Sequence, residues 1–129
     1  MKLPDLSDLD DAGLTHWGGD PEAAARAALA LDLHFLPTDL ANVSTKGQLL
    51  SVLAKSLKLP PYFGGNWDAL ADCIEDDDWI GPRGSVIMLG HSRDYRQAHA
   101  TDWAVLEGIL IEAADYWRER QKLLWILTD

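Results

Sequence analysis

Between Leu59 and Ile80 the chain reads LPPYFGGNWDALADCIEDDDWI, with six acids (Asp68, Asp72, Glu75, Asp76, Asp77 and Asp78) and no lysine or arginine. Carboxylates in such a pattern can work as an acid/base pair, ligate a divalent cation, or present negative charge to a cationic surface. Gly64-Gly65 supplies a bend and Asn66 a cap, so a helix is predicted from there to about Glu75. Trp67, Leu70, Ala71 and Ile74 recur at i, i+3, i+4, i+7 and should face the core. Asp68, Asp72 and Glu75 or Asp76 then stack on the outward face. Like charges one turn apart cost a helix roughly 0.2–0.5 kcal/mol per pair, and no basic residue in the segment relieves them. Asp68, in the first turn, recovers about 0.3–1 kcal/mol from the helix dipole. The pattern is either a solvated acidic face or a set of carboxylates awaiting a cationic partner.

Other chemistries fit less well. Asp68 and Asp72 sit on a convex helix face, whereas a glycosidase pair or a divalent-metal site needs a cleft that excludes water. The run Asp76 to Asp78 lacks the 12-residue ligand spacing of an EF-hand. His16, His34, His91 and His99 fall in no metal-ligand or triad spacing, and there is no G-x-S-x-G, P-loop or GxGxxG. Cys73, the single cysteine, excludes an intramolecular disulfide and a multi-cysteine zinc site, and reads as a small buried hydrophobe. No catalytic residue, metal or cofactor is expected.

Those carboxylates must be positioned by a small domain. The 129 residues carry 21 Asp and Glu against 11 Lys and Arg, a net charge of −10. That charge repels phosphate backbones, arguing against nucleic acid and anionic membranes as partners and in favour of basic protein surfaces. No apolar run approaches 18 residues and no secretory segment follows Met1-Lys2, so a cytoplasmic protein that does not span a membrane is expected. Residues 1–20 read as an acidic arm in which Leu6, Leu9, Leu14 and Trp17 are available for packing. Asp20-Pro21-Glu22 opens a helix that the alanines extend to about Ala30. Leu31 to Leu36 reads as a first strand. A helix opened by Ser44 or Thr45 runs through Leu49, Leu50, Leu53 and Leu57 to Pro60-Pro61. Ser85 to Leu89 is a buried strand, residues 91–99 a polar loop or short helix, and a long helix starts near Asp102. Leu123 to Leu127 closes as a strand. Strands alternating with helices predict an α/β fold with three parallel strands.

The run Pro61-Tyr62-Phe63-Gly64-Gly65-Asn66-Trp67-Asp68-Ala69-Leu70-Ala71-Asp72-Cys73 closely resembles the signature of the barstar family, intracellular inhibitors of secreted guanyl-preferring ribonucleases. The resemblance extends less sharply from about Leu31 to the C-terminus and implies a barstar-like domain over residues 21–129. It implies a protein partner, a basic ribonuclease or ribonuclease toxin met one-to-one, with the motif helix and the loop before it laid across the active site. By position, Tyr62 matches an aromatic contact and Gly64 and Asn66 the contacting loop. Asp68 matches the carboxylate that pairs with basic active-site residues, Asp72 the one that fills the phosphate site, and Glu112 a further carboxylate. Trp67, Ala71 and Trp79 are additional contact candidates. Ala71 stands where the best-known member has tryptophan, and the loop before Trp79 is longer, leaving Trp79 between a contact and a packing role. A barstar-like module with a target other than a ribonuclease is the alternative.

Overall fold

A computed structural model describes residues 2–129. In chain order the elements are β1 (Leu14–His16), α1 (Pro21–Ala30), β2 (His34–Asp39), α2 (Lys46–Ser56), α3 (Trp67–Ile74), α4 (Asp77–Ile80), β3 (Gly84–Gly90), α5 (Arg93–Ala98), α6 (Ala100–Glu119) and β4 (Leu123–Thr128). The strands form one parallel sheet in the order β1-β4-β3-β2.

The sheet has four strands, not the expected three. The extra one, β1, is three residues long and lies inside the segment read as an acidic arm. A run that short shows no alternation, and its partner lies more than a hundred residues away: Leu14 pairs Ile126 and His16 pairs Thr128. The first predicted strand also moves. Leu31 caps α1 and Asp32 turns with φ 60°, so β2 begins at His34 and continues through Pro37 to Asp39. The proline is tolerated because β2 is an edge strand. Caps fall where the sequence places them. Asp20 accepts from the Glu22 amide and Thr45 from the Gln48 amide, while the Gln48 side chain accepts in return from the Ser44 amide.

Side chains alternate through the sheet into two apolar layers. Leu36, Ile87, Leu89, Leu124 and Ile126 pack under α2, α3 and α6, against Leu49, Leu53, Leu70, Ile74, Leu106, Leu110 and Trp117. Val86, Met88, Leu123, Trp125 and Leu127 face the other way, against Ala24 and Ala28 of α1 and Leu6, Ala12 and Trp17 of the leading segment. That segment is tied down through its backbone. The Trp125 indole donates to the Leu6 carbonyl (2.9 Å), and Arg118 donates to the carbonyls of Leu9 and Ala12. Strands buried on both faces explain the near-continuous apolar runs of β3 and β4. At the start of β3, Gly84 adopts φ +139°, and a Cβ there would lie 2.0 Å from the Leu123 carbonyl oxygen. Only glycine lets β3 and β4 approach this closely.

Candidate functional site

Three local features build the acidic element. Pro60-Pro61 ends the approach from α2, and the Phe63 amide closes a turn on the Pro60 carbonyl (2.9 Å). Gly65 then takes φ +72°, a conformation that glycine adopts without strain. Asn66 accepts from the Ala69 amide at 2.8 Å and starts α3. The helix buries Leu70, Cys73 and Ile74. Trp67 is half-buried against the core, with the Lys46 ammonium 5.6 Å from its ring centroid.

Cys73 is buried, as its residue type led one to expect. Of the stripe predicted to face the core, Leu70 and Ile74 are buried, whereas Trp67 and Ala71 are half-buried. The cause is rotational: α3 packs on α6 through the 70–73–74 side, with the Trp117 indole donating to the Ile74 carbonyl (2.8 Å). Ala71 therefore lies on the shoulder of the exposed face, next to Asp68 and Asp72.

Asp68 and Asp72 are both exposed. Among the described residues, neither has a basic side chain within 4 Å or a side-chain hydrogen bond. A neighbouring helix adds to their field. Burial raises the Glu75 carboxyl above the ordinary carboxylate range, and the charges of Glu112 on α6 and of Asp72 push it further, against a smaller opposing pull from Arg120. Arg120 is engaged elsewhere, stacked 3.5 Å from the Tyr116 ring centroid and donating to the Tyr116 carbonyl. Asp72, Glu75 and Glu112 thus share one negative surface drawn from two helices.

Before α3, Tyr62 is 72% exposed, and Gly64 and Asn66 are also exposed. Partial desolvation raises the Tyr62 phenol, and the charges of Asp76, Cys73 and Asp78 add to it. Trp79 is held in place: its indole donates to the Leu57 carbonyl at 2.8 Å, and its half-buried ring packs on the core. With Tyr62 it also lines a cavity of about 120 Å³. The structure therefore brings Tyr62, Gly64, Asn66, Asp68 and Asp72 onto one continuous stretch and adds Glu112 from α6. Glu75, Asp76 and Asp78, absent from the candidate contacts drawn from sequence, belong to the same surface. Their signal was the cation-free composition of residues 59–80. Among the described residues, no cluster of three or more potential ligands could hold a metal ion, and no helix is long and apolar enough to cross a membrane.

Fold and site together define an α/β protein whose solvent-facing helix carries carboxylates that form no ion pair among the described residues. The family model described as Barstar (barnase inhibitor) matches residues 33–129, and the chain belongs to that family. The description is that of an inhibitor family, not of an enzyme family. No curated protein matches the chain.

Proposed function

We propose that this protein inhibits a basic microbial ribonuclease by laying α3 and the preceding loop across its active site, one inhibitor to one enzyme. The observation that carries this reading is the pair Asp68 and Asp72, one helical turn apart, exposed and, among the described residues, with no basic side chain within 4 Å. A ribonuclease must hold a phosphodiester with arginine, lysine and histidine, so its active site is a concave positive field. Two carboxylates on a rigid helix stand in for substrate phosphates there, with bidentate bonds where arginine is the partner. Asp72 takes the phosphate position and Asp68 the neighbouring basic residues. Tyr62, Gly64 and Asn66 contact through the loop, and Glu112 extends the footprint to α6. Trp67, Ala71 and Trp79 border it. The inhibitor acts in the cytoplasm, as the immunity partner of a ribonuclease toxin, through its barstar-like domain over residues 21–129.

Barnase, named by the family description, serves as the test enzyme. RNA cleavage should be titrated to an endpoint at one inhibitor per enzyme, and the association rate should fall steeply with rising ionic strength. Binding without inhibition points to a target other than a ribonuclease active site. A rate insensitive to salt overturns the charge-driven mechanism.

A further inference from the structure

We propose that the cleft between Tyr62 and Trp79 receives a single arginine side chain of the protein that docks on α3, a second anchoring point beside the phosphate-mimicking carboxylates. The inference deepens the inhibitor reading and rests on it. The cleft, about 120 Å³, is lined by Lys58, Pro60, Tyr62, Cys73, Asp76, Asp78 and Trp79. It is several times the roughly 10–15 Å³ of occupiable space that one water needs, leaving room for a planar guanidinium.

Its walls combine the two features that recognise such a group. Tyr62 and Trp79 place aromatic rings in its lining, and a cation over an aromatic ring gains about 0.5–1 kcal/mol when exposed and about 2 or more when desolvated. Trp79 is fixed by its bond to the Leu57 carbonyl, so its ring needs no ordering on binding. Asp76 and Asp78 supply the charge, and their field reaches the Tyr62 phenol. One Asp76 oxygen caps α4 by accepting from the Asp78 amide (2.8 Å), and the Asp76 carboxylate also accepts from the Tyr62 phenol, which ties the two walls of the cleft together. On the floor, the Cys73 side chain is 4% exposed and makes no hydrogen bond among the described residues. The cleft is lined by Tyr62 and Cys73, at the two ends of the stretch that carries Asp68 and Asp72, so one partner can fill both.

Lys58 is the only cation lining the cleft among the described residues, and it has no ion pair there. An entering guanidinium displaces it.

Two readouts test the proposal. In the first, Asp76→Asn with Asp78→Asn removes both charges and keeps the capping oxygen. The variant should dissociate from barnase roughly tenfold faster than the parent, whereas Lys58→Gln should dissociate more slowly. In the second, a blocked Gly-Arg-Gly peptide is titrated while the Trp79 indole N–H resonance is followed by NMR. The resonance should shift with this peptide and not with its citrulline counterpart. The shift should vanish in the Asp76/Asp78 variant and persist in an Asp68→Asn, Asp72→Asn variant. If barnase is not inhibited at all, the inhibitor reading falls and the peptide readout alone decides the cleft. Equal shifts from arginine and citrulline, or no shift, overturn the proposal, as does an unchanged dissociation rate alongside normal inhibition.

Discussion

Replacing Asp72 by asparagine separates what this residue does for the fold from what it does for a partner. In the free protein its carboxylate is exposed and makes no hydrogen bond or ion pair among the described residues. It sits one turn from Asp68 and within the field of Glu75. Removing the charge therefore relieves like-charge repulsion along α3, worth roughly 0.2–0.5 kcal/mol. Denaturant melts should show a variant equal to or slightly more stable than the parent. Against a basic ribonuclease the sign reverses, because a desolvated cation in the enzyme loses its partner, at a cost of about 2–5 kcal/mol. Since each 1.4 kcal/mol is tenfold in affinity, titration calorimetry should record a loss of roughly 30-fold to several thousand-fold. Asp10→Asn, at an exposed acid in the leading segment, is the control and should change neither quantity. Two results would refute the reasoning: destabilisation beyond about 1 kcal/mol, which would make Asp72 structural, or equal affinity losses at positions 10 and 72.

Two further predictions concern the fold and its titration. Gly84→Ala should destabilise by about 3 kcal/mol or more in equilibrium unfolding, since it combines a positive φ with a Cβ driven into the Leu123 carbonyl; a loss below 1 kcal/mol would mean the strands can separate. Glu75 holds its proton more tightly in the folded protein than in the unfolded chain. Its contribution to stability is therefore fully present below the ordinary carboxylate range and is lost as pH rises through the raised folded-state value. Glu75→Gln should remove that part of the stability–pH curve, read by melts across the acid range.

The elements most readable from sequence were those specified by local chemistry. Asn66 followed by an apolar stripe determines α3 whatever surrounds it, and Thr45 with Gln48 does the same for α2. The outward placement of Asp68 and Asp72 follows directly, because charged groups one turn apart cannot both be buried without partners. Elements specified by distant partners were not legible. Three residues of β1 acquire strand geometry only through β4, more than a hundred positions later. Pro37 looked like a terminator until its strand proved to lie at the sheet edge. Within the site, the burial of Cys73 was legible from its residue type, but the half-exposed place of Ala71 was not, since packing on α6 sets the rotation of α3. The joining of Glu112 to Glu75 and Asp72 depends on how α6 crosses α3, which no spacing within either helix encodes.

The two margins of the sheet are each poorly suited to recruiting another copy. At one side β1 offers only three residues, too few to template a stable added strand. At the other, β2 carries a proline whose nitrogen has no hydrogen to give an incoming chain. Growth by edge-to-edge polymerisation is thus discouraged at both ends, and a molecule with this much parallel sheet can accumulate ahead of its target without stacking on itself.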